Sequence, residues 1–206
     1  MINYEKWWDK NVVTEKYSSM KKFKEVLDRN KSRYEYLKII EELNPKSVLD
    51  VGCGMGLDYE MYKSNNSNIK YCGVDACNGF IKENKKNHPE ADFRVARAQE
   101  LPFEDESFDL VTCRGVLEHL DSPEEAIGEI ARVSKGDVVL IWFLIPGKKE
   151  KITLHEQGYY RNIYSEDRVM KCLEENGLKL GYNTVVTDKL SPMKRHEVWV
   201  LNKNVR

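Results

Sequence analysis

The chain has 206 residues, with 33 Lys plus Arg against 34 Asp plus Glu and 41% hydrophobic residues, a length and composition that suit one hydrophobic core. Balanced charge supplies no global field to hold it on a polyanion or an anionic membrane, which disfavours nucleic acid and lipid partners. The longest apolar run, Val138 to Ile145, falls well short of the ~20 residues that span a bilayer.

The N-terminus, Met1 to Trp8, has no apolar stretch behind a basic cap, so a cytoplasmic protein is expected. Trp7, Trp8, Tyr17, Met20, Phe23 and Leu27 then form an amphipathic stretch, so residues 1–30 read as helical. Tyr36, Ile39, Ile40 and Leu43 recur at helical spacing until Asn44-Pro45 stops the helix. Short β-branched runs follow, expected as strands at Ser47–Val51, Lys70–Val74, Asp92–Arg97, Phe108–Arg114 and Asp137–Ile145. Amphipathic stretches near Leu57–Ser64, Cys77–Lys86 and Pro123–Val133 separate them, the alternation that builds parallel strands with crossover helices.

Residues 146–164 show no periodicity, and a connection this long is usually functional or disordered, so it is a candidate lid or substrate loop. Ser165 reads as an N-cap ahead of Glu166 and Asp167, and Asn176-Gly177 closes that helix. Two strands end the pattern, near Leu178–Thr187 and Glu197–Asn202, and with no helix between them they must pair antiparallel. The reading is α/β: one Rossmann-like, doubly wound, mostly parallel seven-stranded sheet, the last strand antiparallel, helices on both faces. Five cysteines, Cys53, Cys72, Cys77, Cys113 and Cys172, form an odd set without a C-x-x-C pair. They read as buried space-fillers, and no metal is expected.

The segment Ser47-Val48-Leu49-Asp50-Val51-Gly52-Cys53-Gly54-Met55-Gly56 is a buried strand entering a glycine turn that opens a helix. Glycine suits a chain that folds back tightly and lets its backbone approach a ligand. A dinucleotide fingerprint would place its third glycine at position 57, which is Leu57, so G-x-G-x-x-G fails and G-x-G-x-G stands. The next strand ends in Asp75, where a carboxylate can accept hydrogen bonds from both hydroxyls of a ribose. Further on come Ala98-Gln99-Glu100-Leu101-Pro102-Phe103 and Val116-Leu117-Glu118-His119-Leu120.

Together these motifs, over residues 47 to about 145, resemble the class I S-adenosylmethionine-dependent methyltransferases, in particular the small-molecule group that includes the ubiquinone and menaquinone C-methyltransferases. The resemblance implies S-adenosyl-L-methionine as cofactor and a single methyltransferase domain over residues 1–206. It implies that Gly52, Cys53, Gly54 and Gly56 line the methionine end, with Asp50 orienting the loop and the cofactor's amino group. Asp75 would hold the ribose, Ala76 would lie against adenine, and Ala98 with Gln99 would meet its edge. Arg114 would offer its carbonyl to the cofactor's amino group, and residues 1–30, with Tyr17, would fold across it as a helical cover. Where relatives often carry an Asp that accepts the adenine amine, this chain has Arg97, which has no acceptor.

Outside the cofactor motifs, His119 is a candidate general base, and His155 and Tyr160 in the candidate lid are candidate acceptor-site residues. In-line transfer from a sulfonium needs alignment and exclusion of water more than a nucleophilic side chain. The expected partner is a small-molecule substrate, with the protein acting as a monomer or homodimer. A cofactor-binding sensor or complex partner without catalysis, and an RNA or protein methyltransferase, are the alternatives. Lys194, Arg195 and His196 read as a solvated loop.

Overall fold

A computed structural model describes residues 31–64, 68–156, 159–187 and 195–203. Helix α1, Lys31–Leu43, buries Tyr36, Leu37, Ile39 and Ile40 on one stripe. It ends at Asn44, whose φ of 47° places it in the left-handed region that asparagine tolerates, and whose N–H bonds the Ile40 carbonyl at 3.1 Å. Strand β1, Ser47–Val51, is buried from its second residue onward, the pattern of a parallel strand covered on both faces. There follow α2 (Leu57–Ser64), β2 (Lys70–Asp75), α3 (Asn78–Asn87), β3 (Asp92–Val95) and β4 (Phe108–Arg114). A single 3-10 turn, Leu117–His119, leads to α4 (Glu124–Val133), β5 (Ser134–Trp142), α5 (Glu166–Glu175), β6 (Leu178–Thr187) and β7 (Arg195–Lys203).

The sheet order is β3-β2-β1-β4-β5-β7-β6. Strand β1 pairs parallel with both β2 and β4, β2 with β3, and β4 with β5. Strand β7 is antiparallel to both of its neighbours, so it alone runs against the rest. One core packs α4 and α5 on the sheet through Ile127, Ile130, Val169 and Leu173, with Trp142 and Trp199 in edge contact beneath. The other packs α1, α2 and α3 through Ile40, Met61, Tyr62 and Ile81. Helices thus cover both faces, as the alternating pattern predicts. The order reverses between β1 and β4, and in doubly wound sheets that reversal opens a crevice at the carboxyl ends of the strands.

Several boundaries differ from the sequence reading for local reasons. Strand β3 stops at Val95 because β2 ends at Asp75, whose carbonyl takes the Ala96 N–H at 3.1 Å. Residues 97–100 then form a turn closed by Glu100 N–H to the Arg97 carbonyl, 3.0 Å. Strand β5 starts at Ser134, directly from α4, across a register shift between Phe108 and Leu110. It ends at Trp142 because the Phe143 N–H leaves the ladder for the Glu118 Oε1, 3.1 Å away. Ser165 does precede α5, but its hydroxyl makes no capping bond; the Glu166 N–H bonds the Gly147 carbonyl at 2.9 Å instead.

Of residues 146–164, without periodicity in sequence, those described, 146–156 and 159–164, run as two irregular limbs of a hairpin joined by antiparallel bridges Lys151–Ile163 and Leu154–Tyr160. Its second limb is held by side-chain to main-chain bonds and by the Tyr164 ring, which is buried in the core with α4 and α5. Asn162, fully buried, donates through Nδ2 to the Leu120 carbonyl at 2.7 Å and accepts the Thr153 N–H at 2.9 Å. The Tyr164 hydroxyl donates to the Leu120 carbonyl at 2.6 Å. Among the described residues no helix is long and apolar enough to cross a membrane.

The α1–α2 side of the sheet carries a buried polar cluster. Asp50, 1% exposed, accepts the Tyr71 hydroxyl at 2.7 Å, and Asp58 of α2 pairs with Arg33 of α1. Burial, reinforced by the negative charge of Asp58, pushes the Asp50 carboxyl up to about 7. A carboxyl raised on folding makes the folded state bind protons more tightly than the unfolded chain. Its stabilising contribution is complete below the ordinary carboxylate range and fades as pH rises towards 7. Asp50→Asn keeps an acceptor for Tyr71 without the ionisation. Urea midpoints measured between pH 4 and 8 should therefore show the variant gaining on the parent as pH rises; parallel curves would contradict it.

Candidate functional site

At the carboxyl end of β1 the backbone reverses over Gly52, Gly54 and Gly56, with φ of 77°, 52° and 72°, values that side-chain-bearing residues adopt at a cost. The N–H groups of Gly52 and Cys53 both bond the Val74 carbonyl, at 2.8 and 2.9 Å, tying the loop to β2. The three glycines then differ. A Cβ on Gly52 would lie 2.1 Å from Val116 Cγ2, and one on Gly56 would meet Phe93 and Asn84 at 3.2 and 3.3 Å. A Cβ on Gly54 would meet nothing within 4 Å. Two glycines let protein pack on the loop, and the third opens outward.

Asp75 sits beside that opening. Its Oδ2 accepts the Gly54 N–H at 2.9 Å and its Oδ1 the Cys77 N–H at 2.8 Å, joining the glycine loop to the start of α3. Ala76, half-buried, lies between these two anchors. Asn84, 2% exposed, donates through Nδ2 to the Gly54 carbonyl at 2.7 Å. Sequence reasoning missed Asn84. Its signal was a lone carboxamide on the apolar stripe of α3, three and four residues after Ile81 and Phe80. The Cys53 side chain packs into the core, so only its main chain belongs to the loop surface.

Asp50 lies one layer below the loop, its carboxylate turned to Tyr71, with the Thr112 hydroxyl 3.5 Å away. Ala98 is buried and Gln99 half-buried at the centre of the 97–100 turn, while Arg97 is exposed. Helix α4 braces this wall. The Leu101 N–H bonds Glu129 Oε2 at 2.7 Å, and Arg132 donates to the carbonyls of Leu101 and Phe103 at 3.0 and 2.7 Å. Arg114, 7% exposed, lies near the rings of Tyr36 and Phe143, at 5.9 and 5.5 Å, and burial beside Arg33 pushes its guanidinium down to about 10.

The turn after β4 meets the hairpin. His119 Nδ1 lies 2.7 Å from the Tyr160 carbonyl, across 41 residues of chain. The Tyr159 ring stands edge-on to His119, with centroids 6.0 Å apart, and stacks on His155 at 4.6 Å. His119, His155 and Tyr160 are therefore brought together, Tyr160 through its main chain and the neighbouring Tyr159 through its ring. Glu118 is buried at 1%; burial pushes its carboxyl up, while His119 and the N–H groups of Phe143 and Leu144 pull it down. Arg195 and His196 belong to β7, not to a loop, and the His196 ring lies 4.3 Å from that of Phe143. Tyr17 and Lys194 lie outside the described residues. All five cysteines are buried, and among the described residues no group of three or more His, Cys, Asp or Glu is placed to hold a metal ion.

Residues 49–142 match a family model described as a methyltransferase domain. The chain is 33% identical over 121 residues to a demethylmenaquinone methyltransferase of Renibacterium salmoninarum, covering 58% of this chain and 46% of that protein. It is 30% identical over 158 residues to a ubiquinone biosynthesis O-methyltransferase of Neisseria meningitidis, covering 73% and 61%. The chain thus spans about half to three-fifths of the length of these curated relatives. A crystal structure of a SAM-dependent methyltransferase from Methanosarcina mazei, 18% identical, matches with a TM-score of 0.67 over 82% of this chain and 98% of that one. With the strand order and the glycine loop, these matches show that the chain has the class I S-adenosylmethionine-dependent methyltransferase fold and is homologous to small-molecule methyltransferases of the ubiquinone and menaquinone type.

Proposed function

We propose that the protein transfers a methyl group from S-adenosyl-L-methionine to a small-molecule acceptor. The observation that carries this reading is the open position over Gly54 beside the Asp75 carboxylate. A carboxylate offers about four lone-pair sites. Asp75 accepts the Gly54 and Cys77 N–H groups, and at the end of β2 its carboxylate would also meet the hydroxyls of a ribose. The backbone of Gly52, Cys53, Gly54 and Gly56 would run along the methionine portion, with the main-chain carbonyl of Arg114 meeting its amino group and Asp50 supporting the loop from below. Ala76 would lie against adenine, and Ala98 and Gln99 at its edge.

The cofactor supplies an already activated methyl on a positive sulfur; the chain's task is to align the acceptor and exclude water. The 146–164 hairpin, pinned by Asn162 and Tyr164, would be the lid over an acceptor lined by His119, His155 and Tyr160. Residues 1–30, with Tyr17, would complete the cover of a single methyltransferase domain. Five buried cysteines that form no disulfide suit a reducing cytoplasm. The protein would act there as a monomer or homodimer.

Calorimetry with S-adenosylhomocysteine tests the cofactor site. Asp75→Ala removes hydrogen bonds to a charged group, and the loss of even one, about 1.5–3 kcal/mol, should lower affinity by at least about 10- to 100-fold. Parental affinity in that variant would sink the reading. Gly54→Ala should cost only about 1–2 kcal/mol of stability, for a left-handed residue facing open space. Its methyl stands where the ligand would lie, so affinity should fall by at least about tenfold while the urea midpoint moves little.

A further inference from the structure

Both polar groups of Gly54 are held by protein. Its N–H bonds Asp75 at the end of β2, 2.9 Å away, and its carbonyl takes the Asn84 carboxamide of α3 at 2.7 Å. A carbonyl only accepts, so Asn84 turns its nitrogen to the loop. That nitrogen also lies 3.9 Å from Cys53 Sγ, and the carboxamide oxygen lies 3.3 Å from where a Cβ on Gly56 would stand. One side chain of α3, 2% exposed, thus lies against Cys53, Gly54 and Gly56 together. Its neighbours on the buried stripe of α3 are Phe80 and Ile81. An aliphatic residue at 84 would continue that stripe, whereas a buried carboxamide is unfavourable unless its hydrogen bonds are made. Packing therefore does not account for the amide; the carbonyl it holds does.

Gly54, at φ 52°, has no side chain and nothing within 4 Å of its Cβ position, so sterics do not fix the peptide that follows it. Resting on the methyltransferase reading, we propose that Asn84 is a positioning residue of the cofactor site: by capturing the Gly54 carbonyl from beneath, it fixes the 54–55 peptide, keeps that oxygen off the open face of the loop, and so sets the affinity for S-adenosyl-L-methionine. Without Asn84 the carbonyl loses its 2.7 Å donor inside the protein. Rotation of the peptide then brings the oxygen to water, on the side where the cofactor would lie. Apparent affinity scales with the fraction of molecules whose site is already competent. Binding therefore weakens although no contact to the cofactor has been removed. Asp75 and Asn84 divide the task, one holding the N–H of residue 54 and the other its carbonyl.

Calorimetry with S-adenosylhomocysteine on the whole protein tests this, with urea midpoints measured alongside. Asn84→Ala should weaken binding by at least about fivefold. Asn84→Asp supplies a readout that a merely structural role would not move. When protonated, the introduced carboxyl donates its O–H to the Gly54 carbonyl; when ionised, it has no donor and repels that oxygen. Burial and the nearby Asp75 keep such a carboxyl protonated in mild acid. Affinity in Asn84→Asp should therefore lie within about threefold of the parent at pH 5 and fall at least about tenfold below it by pH 8. Asp50, Cys53, Asp75 and the His88–Glu60 pair, the titratable groups around the loop and α3, are common to both proteins, so the ratio of the two affinities isolates position 84. It is followed over the pH range in which the circular dichroism of the variant matches the parent's, and a flat ratio there overturns the proposal. Parental affinity in Asn84→Ala with a lowered urea midpoint would mean that Asn84 only stabilises the fold, and would overturn it as well. Absence of S-adenosylhomocysteine binding in the parent would instead defeat the underlying methyltransferase reading.

Discussion

The structure turns on one carboxylate. Asp75, at the end of β2, receives the N–H of Gly54 on one oxygen and the N–H of Cys77 on the other, so a single side chain holds the loop after β1 to the helix after β2. Both N–H groups sit in turns, where the backbone has no ladder or helix partner and an unmet donor is costly. Asn84 returns from α3 to the Gly54 carbonyl, and the neighbouring main-chain groups of Gly52 and Cys53 bond Val74. The loop is therefore tied at three places and kept bare at one. Preorganisation of this kind spares a ligand the cost of ordering the backbone against which it lies.

The same loop is crowded from the other side. Val116 occupies the space a side chain on Gly52 would need, and Phe143 does the same at Gly115. These approaches bring the ends of β1, β4 and β5 within contact at the point where the strand order reverses. A buried acid there would normally be destabilising, and Asp50 accommodates its burial by holding its proton up to about 7 and accepting the Tyr71 hydroxyl. Glu118, equally buried after β4, takes the Phe143 N–H and so ends β5. The two acids shape the carboxyl edge of the sheet from below while leaving its upper surface to glycine and Asp75.

The hairpin of residues 146–164 shows why a functional segment can be silent in sequence. Asn162, Tyr164 and the Tyr160 carbonyl bond the 117–120 turn, partners about 40 residues away. No apolar stripe is required for such anchoring, and hydrophobic periodicity, the main sequence signal, has nothing to register. The strand boundaries that shifted did so for a related reason: Phe143 leaves the ladder for a side chain, and β3 ends where its neighbour ends.

Taken alone, the sequence determined the alternation of strands and helices, the glycine turn after β1 and the acid ending β2, because these depend on periodicity and on the backbone freedom of glycine, both local properties. The antiparallel last pair followed from the short connection between its strands. Only the tertiary structure decided that Gly54, rather than Gly52 or Gly56, faces open space, and that Asp75 braces the loop it borders. It alone turned the Asp50 carboxylate into the core, brought Asn84 to the Gly54 carbonyl and set His119 against the main chain of Tyr160. Each of these is a contact between segments far apart along the chain, fixed by how the sheet and its helices pack, and a linear pattern carries no record of which neighbour fills the space beside a given residue.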